Sequence, residues 1–395
     1  MDPRLNPYAP GAGTPPPELA GREGVIEKAS IALDRIRNGL AARSLMLVGL
    51  RGVGKTVLLN RLHNDAEASG FATVMIEAPE RKSLPALLAP ALRVTVLKLD
   101  RMAKGSALAH RALRGIGGFV QAMKLKYHDI EFGIDLGVEP GLADTGDLDA
   151  DLIALLRTVG EAARERSTAV ALFIDELQYV EESQLAALIS ALHRCSQLQL
   201  PITLIGAGLP QLIGQTGKAK SYAERLFEFA TIGRLSDAEA RRALIEPANR
   251  AGAAFDDDAL REILAQTRGY PYFLQEWGKH SWNCADQSPI RASDVTNCAT
   301  VRAIAELDQS FFRVRLDRLT PAERRYVRAM AELGPGPHRS GDIANMLGKE
   351  VRTVAPIRSK LIDKGMIYSP AHGDTAFTVP LFDEFMKRIM PGMET

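Results

Sequence analysis

The chain has 395 residues, 46% of them hydrophobic and 25% charged, with a formal net charge of +1. That length exceeds one ordinary core and predicts two or three domains, and the composition excludes a disordered or fibrous protein. A charge so near zero excludes global steering toward nucleic acid or an anionic membrane, so contact with either has to come from a local patch.

Residues 1–17, rich in Pro, Gly and Ala, read as a loose arm. Across residues 18–235, apolar strands alternate with helical stretches, the pattern of a parallel five-stranded sheet with helices on both faces. Strands are expected at Leu45 to Gly49, Phe71 to Ala78, Val170 to Asp175 and Ile202 to Gly206, with a fifth, weaker one near Phe229 to Leu235. The long stretch Ala78 to Leu152 has no counterpart in that rhythm. Within it, alternation over Ala122 to Leu136 (Leu125, Tyr127, Ile130, Phe132, Ile134) predicts a β-hairpin insertion.

From 236 to 311 helix follows helix, a helical lid. Ser236 and Glu239 have the spacing of a capping box opening a helix through Arg250, and helices are expected at Phe255 to Arg268 and Tyr270 to Cys284. Trp277 and Trp282 lie on the last of these and read as core residues. Thr320, Pro321 and Glu323 form a second capping box within the last module, residues 312–395. Its order is helix Pro321 to Leu333, short helix Gly341 to Leu347, longer helix Val351 to Lys364, then two short strands around Ala371 to Asp374. That order resembles a winged helix-turn-helix. Its third helix would be the recognition helix, with Arg352, Thr353, Arg358 and Lys360 as candidates to reach double-stranded DNA in or beside the major groove. The module holds 14 Lys and Arg against 10 Asp and Glu, an excess of +4. This is weak support for DNA, and docking of a protein partner or autoinhibition by covering the protein's own first domain stays equally open.

The three cysteines, Cys195, Cys284 and Cys298, are scattered and odd in number, which argues against a disulfide framework or a zinc site and favours a reducing cytoplasm. The histidines His128, His193, His280, His338 and His372 are spread out, so no metal or catalytic histidine cluster is expected. No apolar run of membrane-spanning length occurs, and no signal segment opens the chain, so no membrane partner is expected.

The chemistry concentrates at two strand ends. Gly49-Leu50-Arg51-Gly52-Val53-Gly54-Lys55-Thr56 matches G-x-x-x-x-G-K-[ST] in full, between an apolar strand and an amphipathic helix that begins with Val57, Leu58 and Leu59. Glycines permit positive φ and bare backbone, so successive N–H groups turn inward as a nest for the phosphates of ATP at a helix N-terminus. Lys55 adds charge at the β and γ phosphates, and the Thr56 hydroxyl is a Mg²⁺ ligand. Val170 to Glu176 is a buried-type strand ending in two carboxylates. Asp175 is suited to the Mg²⁺ side, and Glu176 to orienting and deprotonating a water in line with the γ-phosphate.

On these residues the chain resembles the AAA+ and STAND class of P-loop ATPases, above all its origin-recognition-like branch, from Pro17 to the end. Pro17-Glu-Leu-Ala-Gly21-Arg22-Glu23 is similar to the family's entry motif, which implies Arg22 and Glu23 beside the adenine. Tyr222-Ala-Glu-Arg225-Leu-Phe resembles the segment carrying an arginine finger. Arg225 would then act on the nucleotide of a neighbouring subunit, which implies self-assembly. Gly269-Tyr-Pro271 is similar to the Gly-x-Pro of STAND switch ATPases, whose proline packs near the nucleotide. The fourth strand, Ile202-Thr-Leu-Ile-Gly-Ala207-Gly208, departs from AAA+ relatives. It ends in glycine and alanine where they carry a polar sensor, and Thr203 sits too early to replace it. The Gly-x-Pro likewise stands where initiator ATPases carry a sensing arginine. Both departures remove contacts to the γ-phosphate. The resemblance therefore implies slow hydrolysis and a nucleotide-dependent switch for assembly, DNA or partner engagement. The alternatives are a DNA-binding regulator with ATP as a structural ligand, and the ATPase subunit of a transposition or phage-defence system that docks a protein partner.

Overall fold

Strands that are apolar at most positions, without polar alternation, have no face to offer water, so they belong inside a sheet covered on both sides. In the computed structural model, which describes residues 1–80, 82–101, 106–130 and 137–392, such strands form the centre of the first of two units, Glu23–Val48 with Lys55–Thr231. Its strands β1 (Ser44–Val48), β2 (Ala72–Glu77), β3 (Val170–Asp175), β4 (Ile202–Gly208) and β5 (Phe227–Thr231) pair in parallel in the order β2-β3-β4-β1-β5. β1, β3 and β4 are buried along their whole length. The fifth strand starts two residues before the expected Phe229 and ends at Thr231, short of Leu235. Helices α1 (Glu23–Arg37), α2 (Lys55–Ala68), α3 (Leu84–Arg101), α4 (Ala107–Lys124), α5 (Leu148–Glu165), α6 (Glu182–Gln197), α7 (Leu212–Ala219) and α8 (Ala223–Leu226) complete this unit.

Among the described residues between β2 and β3 the elements are helices, α3 to α5, and residues 122–130 of the expected hairpin form no strand. Ala122 to Lys124 close α4, and Leu125 to Ile130 form turns; residues 131–136 of the expected hairpin lie outside the described residues. The physical reason is period. Phe119, Val120 and Met123 extend the buried face of Ala109, Ala112, Leu113 and Ile116 at spacings of three and four, and this helical period takes the start of the alternating segment. The loop entering α5 is gathered by the buried Asp151 carboxylate. It accepts from the Thr145 backbone N–H (3.0 Å), the Thr145 hydroxyl (2.8 Å) and the Gly146 N–H (2.9 Å).

The second unit contains Met1–Arg22, Gly49–Gly54 and Ile232–Thr395. Its helices are α9 (Asp237–Arg250), α10 (Asp257–Thr267), α11 (Pro271–Cys284), α12 (Ala292–Asp294), α13 (Thr300–Leu307), α14 (Arg313–Leu316), α15 (Pro321–Leu333), α16 (Ser340–Met346), α17 (Val351–Asp363) and α18 (Phe382–Ile389). Both capping boxes form: Ser236 with Glu239 opens α9, and Thr320 with Glu323 opens α15. Strands β6 (His338–Arg339), β7 (Ile367–Tyr368) and β8 (Asp374–Phe377) make an antiparallel sheet in the order β6-β8-β7. A single hydrophobic core runs through the unit from Tyr8 past Trp277, Trp282, Phe312 and Tyr326 to Phe385.

Two expectations are overturned here. The N-terminal arm is packed: the Met1 amine donates to Ala285 O, Asn6 Nδ2 to Lys279 O (2.9 Å), Trp282 Nε1 to Asp2 O (2.9 Å), and the buried Tyr8 hydroxyl to Leu244 O. Tyr8 supplies the apolar anchor that the Pro-rich composition hides. The cysteines do form a disulfide, Cys284 with Cys298, because the turn after α11 brings them to a Cα separation of 6.0 Å; the odd cysteine, Cys195, is buried in the other unit. Cysteine usage therefore gives no ground for a reducing compartment. No helix among the described residues is long and apolar enough to cross a membrane.

Asp151→Ala leaves three donors without their acceptor and should lower unfolding free energy by roughly 2–4 kcal/mol, read as a shift of the denaturant midpoint at unchanged slope; a variant within about 0.5 kcal/mol of wild type would mean the loop finds other partners.

Candidate nucleotide site

The phosphate loop follows β1, and its glycines answer to specific constraints. A Cβ on Gly49 would lie 2.1 Å from Ile232 O, a backbone atom that cannot move aside. Gly52 and Gly54 have φ of +77° and +90°, where side chains are disfavoured, and a Cβ at Gly54 would meet nothing within 4 Å. The loop is held from outside by residues distant in sequence. Arg51 N–H donates to Thr378 O (2.9 Å), and Tyr272 N–H donates to Gly52 O (3.1 Å). The buried Arg22 donates to Val53 O (3.2 Å) and to Gly233 O (2.6 Å). Arg51 Nε reaches Gly365 O at 3.4 Å. Thr378 is fixed in turn by its hydroxyl, which donates to Gly365 O (2.6 Å).

Lys55, buried, and Thr56 open α2, with Val57 half-buried behind them. The Thr56 hydroxyl donates to Asp175 Oδ2 at 2.6 Å. Asp175 ends β3 at 3% exposure, and burial pushes its carboxyl above the usual range, opposed by the Thr56 hydrogen bond. Glu176 follows in the left-handed region (φ +53°, ψ +34°), and its N–H donates to Asp175 Oδ1 at 2.8 Å. A non-glycine residue in that region stores strain of about 1 kcal/mol and marks a place where direction matters.

Gln178 is a residue that sequence reasoning missed. Its Nε2 donates to Glu176 Oε2, and its Oε1 accepts from Leu209 N–H at 2.9 Å, so it ties Glu176 to the end of β4. The small residues at that end now have a cause. A Cβ on Gly208 would lie 2.7 Å from Gln178 Oε1, and one on Gly206 would lie 2.3 Å from Leu177 Cδ1. Glycines at a buried strand end were the available signal. Thr203 is engaged in the sheet, its hydroxyl 3.3 Å from Ser44 Oγ.

The structure thus brings together Thr56 with Asp175, Arg22 with Val53, and the start of α11 with Gly52. Pro271 is the first residue of α11, half-buried. Glu23 opens α1 with an exposed side chain. Arg225 is exposed on α8; its neighbour Glu228 is taken by Lys28 (3.1 Å) and Arg43 (3.7 Å). On α17, Thr353 and Lys360 are exposed and Arg352 pairs with Glu350. Arg358 is committed to the adjacent sheet, donating to Thr375 Oγ1 (2.8 Å), Ser369 Oγ (2.9 Å) and Asp374 O (2.9 Å).

Because burial raises the Asp175 pKa, the folded protein holds that proton more tightly than the unfolded chain. The resulting stability is present at acid pH and lost as pH rises through the folded value. Asp175→Asn should therefore melt higher than wild type at neutral pH without ligands, with the gap closing as pH falls; equal melting at all pH values would show that the Thr56 bond offsets the burial.

Comparison with known proteins agrees with this geometry. Residues 18–205 match the AAA ATPase domain, and residues 309–386 match a domain family of unknown function. The chain is 23% identical over 371 residues to an uncharacterised HTH-type transcriptional regulator of Methanocaldococcus jannaschii, covering 91% of this chain and 86% of that protein. The Walker-type ATPase of Pyrococcus abyssi has the same fold, with a TM-score of 0.62 at 15% identity over 97% of this chain and 99% of that one. The Orc1 protein of Aeropyrum pernix, in its complex with DNA, gives a TM-score of 0.48 at 16% identity over 95% and 94%. Residues 18–205 thus match the AAA ATPase domain, and the parallel sheet order and the complete phosphate-loop sequence fit the fold of a P-loop nucleotide-binding domain.

Proposed function

We propose that the protein binds ATP with Mg²⁺, hydrolyses it slowly, and uses the nucleotide state as a switch for assembly and for engagement of DNA or a partner. The observation that carries this reading is the 2.6 Å hydrogen bond between Thr56 and the buried Asp175, directly after a complete phosphate loop. A hydroxyl and a desolvated carboxylate sharing one proton are an oxygen pair suited to a hard divalent cation, and the open, positive-φ turn at Gly54 suits a phosphate. Bound Mg²⁺ would neutralise charge developing on the β and γ oxygens. Backbone N–H groups of the loop and Lys55 bind the phosphates; Thr56 and Asp175 hold the metal; Glu176, aimed by Gln178, accepts the proton of the attacking water. Arg22, Glu23 and Pro271 are assigned to the adenine on the family resemblance, and Arg225 to the nucleotide of a neighbouring copy.

The switch reading is supported by the loop's own anchors. Arg51 and Gly52 are hydrogen-bonded to Thr378 and Tyr272, so a change in loop conformation on nucleotide binding is felt directly by α11 and by the segment after β8. Residues 236–311 act as the helical lid. Residues 312–395, with α15, α16, α17 and the β6-β8-β7 sheet, act as a winged helix. ATP dependence requires a compartment that supplies ATP, the cytoplasm.

A second reading, a DNA-binding regulator with ATP as a structural ligand, is supported by the exposed Arg352, Thr353 and Lys360 on α17 and by the name of the archaeal relative. A role as the ATPase of a transposition or phage-defence system stays the third.

ATP binding, turnover and mass of the purified protein separate these. Lys55→Ala should weaken ATP binding at least tenfold. Glu176→Gln should bind ATP normally but turn over about 10²–10⁴-fold more slowly, and Arg225→Ala should lose turnover only where copies assemble. Wild type that binds ATP without turnover, change of mass or change of DNA affinity would sink the switch. On DNA, Lys360→Ala should reduce the slope of log affinity against log salt by about one, whereas Arg358→Ala should first loosen the sheet it braces; an unchanged slope would remove Lys360 from the interface.

A further inference from the structure

Glu276 and His280 lie one turn apart on α11, so both side chains leave the same face, and α13 brings Glu306 against them. His280 Nε2 is 3.2 Å from Glu306 Oε2 and 3.8 Å from Glu276 Oε2, and one ligand atom from each of the three lies within 4.8 Å of the others. Glu276 is 3% exposed and His280 7%. Within this cluster Glu276 Oε2 and His280 Nε2 are both buried and neither makes a well-aligned hydrogen bond, although His280 Nε2 lies within ion-pair distance of Glu306 Oε2. An unsatisfied polar atom in the interior costs about 1–3 kcal/mol. Two such atoms converging on one point, with a third ligand beside them, define a place for a cation. Lys279 approaches Glu306 Oε1 (2.8 Å) and Glu276 Oε2 (3.8 Å), so a cation already stands beside both carboxylates.

We propose that Glu276, His280 and Glu306 form a zinc-binding site in the helices after the ATPase domain. One imidazole nitrogen and two carboxylate oxygens suit Zn²⁺, with water completing the coordination. Metal–ligand bonds of about 2.0–2.2 Å put tetrahedral ligands about 3.4 Å apart, a spacing that the 3.2 Å and 3.8 Å separations bracket. The site is also connected to the phosphate loop. Glu276 lies one helical turn after Tyr272 on α11, and the Tyr272 N–H donates to Gly52 O. A metal that fixes Glu276 therefore restrains the residue that anchors the loop.

The test is calorimetric titration of the full chain with Zn²⁺, free of nucleotide and Mg²⁺, with Co²⁺ absorption as a second reading. The expected result is one equivalent bound and a higher melting temperature. Glu306→Gln, at an exposed position that leaves folding intact, should weaken binding at least tenfold and abolish the thermal shift. Lys279→Met should tighten binding by removing the competing cation. The proposal is overturned by absence of binding to wild type, by Glu306→Gln binding like wild type, or by a thiolate-to-cobalt charge-transfer band, which would assign the metal to cysteine.

Discussion

A phosphate-binding loop is backbone withheld from secondary structure: some of its N–H groups have to stay available for an anion, so its carbonyls and outer amides need partners elsewhere. In this protein those partners come from three distant places in the chain. Arg22 takes the Val53 carbonyl, Tyr272 takes that of Gly52, and Thr378 takes the Arg51 amide. Ile232 O closes against Gly49 so tightly that no side chain fits there. This explains why Gly49–Gly54 groups with the N-terminal residues and the C-terminal helices rather than with the strand that precedes it. Each anchor sits on an element with its own support. Tyr272 lies on α11, whose core includes Phe273 and Trp277, and Thr378 is pinned by bonds to Gly365 and Met366.

The carboxylate end of β3 obeys a second constraint, the cost of burying charge. Asp175 is desolvated and accepts from Thr56 and from the next backbone amide, so both its oxygens are served. Glu176 is turned away from the helical path by its left-handed backbone and held by Gln178. A glutamine suits that task because it donates at one end and accepts at the other without bringing a second charge into the interior. The strand-end polar residue expected on β4 is absent, yet a polar group does reach that strand end: Gln178 arrives from the β3 side and occupies the space that Gly208 vacates.

What could be read in the sequence was local. The phosphate-loop motif, the paired carboxylates and both capping boxes are each written within a few residues, and the two capping boxes form as read. Four of the five strands were visible as apolar runs because burial on both faces leaves no other composition. What could not be read was tertiary. The segment from Ala122 carries both a two-residue and a helical period, and packing of Met123 beside Phe119 decides between them. The N-terminal arm looks loose because one buried tyrosine carries its anchoring. Cys284 and Cys298 become neighbours only once α11 turns back, and the commitment of Arg358 to the sheet depends on a side-chain direction that spacing does not encode. The same holds for Gln178 and Thr378, polar residues of ordinary type whose partners are distant.

The anchors also set a scale for any switch. Hydrogen bonds of the kind that tie Arg51 to Thr378 and Gly52 to Tyr272 contribute about 0.5–1.5 kcal/mol each. Two of them can bias a conformational equilibrium by roughly 5- to 150-fold, whereas driving it from 1:99 to 99:1 takes about 5.5 kcal/mol. Nucleotide acting only through these two bonds would therefore produce a graded response in the C-terminal helices. An all-or-none response needs further coupled contacts, such as release of Arg51 from Gly365 or a second copy engaging Arg225. On the function proposed above, slow turnover with a graded switch would hold a state for as long as the nucleotide lasts, and the number of contacts made or broken at the loop would then fix how decisively that state is read.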